Sequence, residues 1–156
     1  MNESTAITAG TFDPVTVGHL DIIRRAATMY DLLYVGIFDN PEKTPMFSLE
    51  KRMAALSEAT KNIPNVRVVT DRGMLCDYAR KVGARAIVKG VRNEADRAYE
   101  LLQADFNMEH GGIPTVLLDS ADEYAGISST VVRNLISDGR SPEALLPLGV
   151  WEILSK

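Results

Sequence analysis

The sequence predicts an α/β fold: a five-stranded parallel sheet with helices on both of its faces. Three observations predict it. Apolar runs of strand length alternate along the whole chain with segments of helical period. Two of those runs, Leu32–Phe38 and residues 86–88, are apolar without a break, as strands covered on both faces are. The 156 residues make one domain's worth, and a chain of that size buries roughly 70% of its unfolded surface without a metal or disulfide staple.

Taken in order, Ala6, Ile7, Thr8 and Ala9 predict the first strand, and Leu20, Ile23, Ala27 and Tyr30 then share a helical face. Leu32–Phe38 is the second strand, followed by a polar loop at 39–47 with prolines at 41 and 45. Ser48 suits the N-cap of a helix whose stripe is Leu49, Met53, Leu56 and Ile63. Residues 66–70 predict the third strand; Leu75, Tyr78, Ala79 and Val82 a short helix capped by Gly83. Residues 86–88 are the fourth strand, ending in Lys89 and Gly90. A longer helix carries Ala95, Ala98, Tyr99, Leu102 and Phe106 as its apolar stripe and stops at Gly111 and Gly112. Pro114 leads into the fifth strand at 115–118, and after a loop at 119–127 the run Ser128, Ser129, Thr130 opens a helix with Val132, Leu135 and Ile136, closed by Gly139. Ser141 and Pro142 read as an N-cap with Pro at the first helical position, starting a helical tail over about 141–156. Pro147 divides that tail, and Trp151, Ile153 and Leu154 are expected to dock on the body. There is no internal repeat, low-complexity segment or linker, so a single domain over 1–156 is expected.

Composition bounds the function classes. A net charge of −4 gives no basic footprint and speaks against a nucleic-acid partner. The lone cysteine, Cys76, lies inside a helical pattern and cannot form an intrachain disulfide, which suits a reducing compartment. No apolar run approaches a membrane span, and residues 1–5 show neither a basic nor an apolar leader region. The expectation is a cytoplasmic globule with no membrane partner.

The turn between the first strand and the first helix carries the most chemistry: Gly10, Thr11, Phe12, Asp13, Pro14, Thr16, Gly18 and His19. Gly10 and Gly18 are expected to supply a positive φ or a close backbone approach. A helix start offers unpaired N–H groups and the positive end of the helix dipole, both of which favour phosphate. His19, at that start, adds a donor or a positive charge. Either glycine alone is compatible with simple turn geometry; Gly-Thr at the strand end with Gly-His at the helix start points to an anion site.

In parallel sheets ligands bind outside the carboxyl ends of the strands, near the topological switch point. The residues following each strand should therefore gather at one rim. Asn40, Glu42 and Lys43 follow the second strand; Arg72 and Gly73, with Met74 and Leu75 behind them, follow the third. Lys89, Gly90 and Arg92 follow the fourth, and the loop to Ser128, Ser129 and Thr130 follows the fifth. Cations, hydroxyls and helix N–H donors together suit a polyphosphate. Lys43 alone reads as a solvated lysine and the serine cluster as an N-cap. Lys89 and Arg92 differ, because they terminate a strand that is otherwise apolar.

Gly10-Thr11-Phe12-Asp13-Pro14 followed by Thr16-x-Gly18-His19 resembles the first signature of the HxGH/TxGH nucleotidyltransferase superfamily, and Ile127-Ser128-Ser129-Thr130 resembles the second. Within it the chain is most similar to the bacterial phosphopantetheine adenylyltransferases, over essentially all 156 positions. Three features carry that likeness: Thr16 where sister families have histidine, residues 45–52, and Lys89-Gly90-Val91-Arg92 with Asp96, Tyr99 and Glu100 behind it.

The resemblance implies a Rossmann-like dinucleotide-binding fold and a reaction. ATP and 4′-phosphopantetheine give 3′-dephospho-coenzyme A and pyrophosphate with the help of Mg²⁺, the penultimate step of coenzyme A synthesis. Such an acceptor phosphate is already anionic, so neither a general base nor a covalent intermediate is required, and catalysis reduces to alignment and charge neutralisation. By resemblance His19 stabilises the transition state at the phosphates, while Thr11 and Lys43 place the acceptor phosphate. Lys89 is a substrate-binding cation, and Leu75 contacts the pantetheine arm. Thr11, Phe12, His19, Gly90, Val91, Arg92 and Glu100 line the ATP site, and Tyr124, Ala125, Gly126, Ile127, Ser128, Ser129 and Thr130 cradle the triphosphate. The resemblance supplies no protein ligand set for a metal. It further implies a homohexamer, and coenzyme A is expected to bind the same rim as a feedback ligand.

Two departures from the family pattern stand out: Lys89 replaces the usual arginine, keeping the charge but losing its two-point grip, and Ala9 replaces a proline. Three alternatives stay open on the sequence: a nicotinamide-mononucleotide adenylyltransferase, a glycerol-phosphate cytidylyltransferase and a non-catalytic nucleotide-binding regulatory module. His110, beside Gly111, reads only as a favourable charge at a helix C-terminus.

Overall fold

The computed structural model describes residues 4–38 and 42–156; Asn40, expected at the rim, lies outside the described residues. Five strands, β1 (Thr5–Gly10), β2 (Leu32–Phe38), β3 (Val66–Asp71), β4 (Ala86–Val91) and β5 (Thr115–Asp119), form one parallel sheet in the order β3-β2-β1-β4-β5. Helices α1 (Val17–Met29), α2 (Leu49–Thr60), α3 (Leu75–Lys81), α4 (Glu94–Gly111), α5 (Ser129–Ser137) and α6 (Val150–Leu154) complete a Rossmann-like α/β fold.

Alternation along each strand builds two cores. Ala6, Leu33, Val35, Ile37 and Val88 join Ile23, Leu56, Val132 and Val150 in the larger core, so α1, α2, α5 and α6 cover that face. Ile7 and Ile87, one residue out of phase, join Ala79 and Ile113 on the face covered by α3 and α4. The sheet order reverses between β1 and β4, which places the switch point there.

Four details correct the sequence reading. First, β4 does not stop at Val88: Lys89, Gly90 and Val91 remain strand, paired with Leu117, Leu118 and Asp119. Backbone pairing continues where the side chains turn polar, because the ladder uses only main-chain groups. Second, α2 ends at Thr60, and its buried face is Arg52, Ala55, Leu56 and Thr60 rather than a stripe through Leu49 and Ile63. A charged side chain reads as surface, yet Arg52 is 2% exposed.

Third, the predicted apolar stripe of α4 is exposed rather than packed into a core. Tyr99 is 60% exposed and Leu102 69%, while the buried residues of the helix are the polar Glu100 and Asn107. Fourth, the tail is less helical than expected. A single 3-10 turn at Glu143–Leu145 follows Pro142, which is the N-cap rather than the first helical residue, and only Val150–Leu154 is α-helix. Val150 and Leu154 are the buried anchors against α2, with Trp151 and Ile153 partly buried beside them.

Candidate active site

A cleft of about 420 Å³ opens at the carboxyl ends of β1 and β4, at the switch point. Gly10, Thr11 and Phe12 form its floor, and Gly18 and His19 its α1 side. Lys89, Gly90, Arg92 and Glu100 supply the β4–α4 side; Tyr124, Ile127, Ser128, Ser129 and Thr130 close the α5 side, with Lys43 reaching in from the loop after β2. The cleft thus brings together residues from four strand ends; Arg72 and Gly73, expected at the rim after β3, line neither this cleft nor the pocket beside it. Leu75 lies in an adjoining pocket of about 330 Å³, joined to the cleft by Lys89, Tyr99 and Glu100. Val91 points into the interior at 2% exposure, and Ala125 and Gly126 belong to the turn before α5 without lining the cleft.

Neither Gly10 nor Gly18 adopts a positive φ; that conformation falls on Phe12, at φ 47°. The glycines serve by leaving the cleft wall without side chains. Gly90 is more demanding, because a Cβ there would sit 2.8 Å from Ile22 Cγ1. That close approach lets α1 lie against β4.

The Thr16–His19 segment is a capping box. His19 N–H donates to Thr16 Oγ1 at 3.3 Å, and Thr16 N–H donates back to His19 Nδ1 at 3.0 Å. Nδ1 is therefore an acceptor, and the ring proton resides on Nε2. Burial first, then the charges of Arg92 and Lys89, lowers the His19 pKa from 6.5 to about 4. In the free protein His19 is a neutral donor at physiological pH, not a cation. Phe12 packs edge-on against its ring at 5.1 Å between centroids.

Each cation on the β4 side is held by an acid of α4. Arg92 Nε donates to Asp96 at 3.0 Å. Lys89 Nζ donates to the Ala9 carbonyl at 3.0 Å and lies 3.7 Å from Glu100 Oε2, a buried oxygen with no hydrogen-bond partner among the described residues. Lys89 thus reaches back to the main chain at the end of β1. At the α5 side, Ser128 Oγ accepts from Val131 N–H as the N-cap, and Ser129 Oγ donates to the Pro14 carbonyl at 2.8 Å. Ser129 and Thr130, in the first turn of α5, line the cleft, and N–H groups of a first helical turn have no intrahelical partner.

Sequence reasoning missed Arg133, Asn107 and Thr115. Arg133 lines the cleft, donating to the Asp13 carbonyl at 2.7 Å and to Thr130 Oγ1 at 3.1 Å. Its spacing of four from Ser129 placed it on the same helical face, and that signal could have found it. Asn107 and Thr115 line the adjoining pocket, where Thr115 Oγ1 is buried without a hydrogen-bond partner among the described residues. No sequence signal marks them, since they meet only across α4 and β5. Cys76 is buried at 1% exposure and outside both pockets. His110 Nδ1 donates to the Phe106 carbonyl at 3.0 Å and stacks on that ring, far along α4 from the cleft.

A dinucleotide-binding sheet with an anion cleft at its switch point, flanked by two signature turns, defines a nucleotidyltransferase. The chain belongs to the cytidylyltransferase-like family, whose model matches residues 7–135, and within it to the phosphopantetheine adenylyltransferases. Phosphopantetheine adenylyltransferase of Symbiobacterium thermophilum is 48% identical over 143 residues, covering 91% of this chain and 88% of that one. Two solved structures share the fold. A candidate nicotinate-nucleotide adenylyltransferase from Vibrio parahaemolyticus matches with a TM-score of 0.73 at 16% identity, over 99% of this chain and 93% of its own. The lipopolysaccharide core biosynthesis protein from Thermoplasma volcanium GSS1 matches with a TM-score of 0.56 at 21% identity, over 77% and 98% respectively.

Proposed function

We propose that this chain transfers the adenylyl group of ATP to 4′-phosphopantetheine, releasing pyrophosphate and forming 3′-dephospho-coenzyme A, the penultimate step of coenzyme A biosynthesis. The observation that carries the reading is the adjacency of the two pockets. A cationic cleft suits a triphosphate, and it shares Lys89, Tyr99 and Glu100 with a pocket of Leu75, Met74, Phe106, Asn107 and Thr115. Apolar walls with a few buried amide and hydroxyl groups suit a pantetheine arm, whose methylenes are interrupted by amides.

On this reading an acceptor phosphate oxygen attacks the α-phosphorus; a P–O bond forms there, the bond to the β-phosphate oxygen breaks, and pyrophosphate takes the electron pair. Thr11 and Lys43 orient the attacking phosphate, with Lys89 holding it at the mouth of the arm pocket. His19 donates from Nε2 to the phosphoryl oxygens, and Arg92, Arg133 and the α5 amides offset the charge developing toward pyrophosphate. A bound triphosphate raises the proton affinity of His19, since an adjacent anion favours the cationic ring.

Mg²⁺ belongs to this reading as the substrate's ion. Among the described residues no group of three or more His, Cys, Asp or Glu could hold a metal. On this reading the ion rides on phosphate oxygens and water, as Mg²⁺ bound with phosphates does. A homohexamer is part of the same reading, supported by the exposed apolar side chains of α4. So is feedback binding of coenzyme A, whose nucleotide end has the chemistry this cleft accepts. A cytoplasmic location is part of the same reading, supported by the buried free Cys76.

The test is pyrophosphate release with ATP and Mg²⁺, offering 4′-phosphopantetheine and nicotinamide mononucleotide in parallel. Release with phosphopantetheine alone is expected. Release with the mononucleotide alone moves the chain to the sister activity, and ATP binding with silence toward both supports a regulatory module.

A further inference from the structure

Arg52 and Asp13 are the two buried charges nearest the cleft that the reading above leaves without a task. Arg52 is 2% exposed and Asp13 5%. From α2, Arg52 Nε donates to the Phe47 carbonyl and Nη1 to the Thr11 carbonyl, both at 3.0 Å. The Asp13 carboxylate accepts from two consecutive amides of the loop before α2: Met46 N–H at 2.8 Å and Phe47 N–H at 2.9 Å. These bonds tie the loop after β2 to the turn after β1. Three residues before Met46, that loop carries Lys43, an exposed side chain that reaches the cleft.

Removing a guanidinium from water is costly, and buried ion pairs are often replaceable by apolar side chains without loss of stability. A packed methionine would serve α2 as a helix-to-sheet contact. It could not bond two carbonyls on different loops. Arg52 bonds the Phe47 and Thr11 carbonyls and Asp13 the Met46 and Phe47 amides, main-chain atoms of the two turns that deliver Thr11 and Lys43, and the Asp13 carboxylate also lies 3.7 Å from Arg133 Nη1.

We propose that Arg52 and Asp13 are positioning residues: they clamp the loop at 42–48 to the Thr11 turn and so set the Lys43 ammonium against the acceptor phosphate. This rests on the adenylyl-transfer reading. A displacement of about 1 Å in such a group can cost about a hundredfold in rate. Lysine at position 52 keeps the charge but reaches one carbonyl rather than two, and asparagine at position 13 turns one acceptor into a donor facing an N–H.

The experiment compares Arg52→Lys and Asp13→Asn with the unmodified protein, each also in a Lys43→Ala background, by pyrophosphate release with 4′-phosphopantetheine. ATP affinity by calorimetry, thermal midpoint and amide exchange at Met46 and Phe47 are measured alongside. The expected result is a kcat loss of about 10–100-fold for each single substitution, with ATP affinity within about twofold. Amide exchange at Met46 and Phe47 should accelerate. In the Lys43→Ala background the same substitutions should cost less than about threefold, because their effect passes through Lys43. Fully additive losses, or losses matched by equal weakening of ATP binding, would overturn the proposal. If Arg52→Lys does not fold, Asp13→Asn decides alone. If the unmodified protein releases no pyrophosphate with phosphopantetheine, the adenylyl-transfer reading itself fails, and the clamp is judged on amide exchange: unchanged exchange in Asp13→Asn rejects it.

Discussion

The backbone N–H of Thr16 donates to Nδ1 of His19 at 3.0 Å. That bond gives the Thr-x-Gly-His turn a physical explanation. The threonine is the N-cap of α1, and the histidine takes the third helical position, where a capping box ordinarily has Glu or Gln. A histidine there closes the box with one nitrogen and leaves the other, protonated, for the cleft. Gly18 keeps the wall beside it bare.

The first prediction concerns pH. Folding lowers the His19 pKa from 6.5 to about 4, so between those values the unfolded chain binds the extra proton and the folded one does not. Stability is fully present above pH 6.5 and falls as pH drops toward 4. Urea midpoints from pH 7.5 to about 4.5 should decline more steeply in the unmodified protein than in His19→Gln. Parallel curves would show that His19 titrates normally. In turnover, His19→Ala should lose about 10²–10³-fold in kcat while still binding ATP, as loss of a preorganised donor does.

Much of the site was legible because its chemistry is local in sequence. Thr11, His19, Arg92 and Ser128 each follow a strand, and a parallel sheet brings such ends to one rim. The rest was illegible for physical reasons. Arg52 hides because a charged residue on a helix reads as solvated, and only the tertiary fold reveals that its partners are carbonyls on two other loops. The polar inward face of α4 misled in the opposite sense: Glu100 and Asn107 are buried at the pockets, and Leu101 and Leu102 are left exposed. Lys89 within β4, rather than after it, shows a ladder outlasting the apolar run that announced it.

The second prediction uses the departure at Lys89. Its ammonium donates to the Ala9 carbonyl and lies 3.7 Å from Glu100 Oε2, an ion pair without a hydrogen bond, so N–H donors remain for an acceptor phosphate. Lys89→Met should raise the acceptor KM about tenfold or more while leaving ATP affinity nearly unchanged. Lys89→Arg should give an acceptor KM no higher than that of the unmodified protein, since the planar fork adds a second point of contact. Steady-state kinetics varying each substrate in turn separates these outcomes, and an equal rise in both KM values for Lys89→Met would argue against an acceptor-specific role.

The third prediction separates the two pockets. Leu75 and Asn107 line only the adjoining pocket. Leu75→Ala and Asn107→Ala should weaken the acceptor about 5–50-fold, in keeping with a lost buried apolar contact or hydrogen bond, and leave ATP affinity unaltered. Calorimetry with ATP alone and kinetics with 4′-phosphopantetheine provide the comparison. Weakened ATP binding in either variant would mean that the nucleotide, not the pantetheine arm, enters this pocket.

The outward face of α4 supplies the fourth prediction. Leu101 is 51% exposed, Leu102 69% and Met108 48%, on a helix whose inward residues are polar. Apolar side chains gathered on one face are the composition expected where copies of a chain meet. Leu102 lines neither pocket, so a substitution there tests assembly without removing a cleft residue. Leu102→Glu should place a carboxylate in that contact, where it would be desolvated without a cation, and should shift the protein from a larger assembly toward smaller species. Sedimentation velocity over a range of concentrations reads the change directly, with circular dichroism to establish that the variant is folded. If the unmodified protein sediments as a single copy at every concentration, α4 is simply an exposed helix, and the homohexamer is the wrong assembly for this chain.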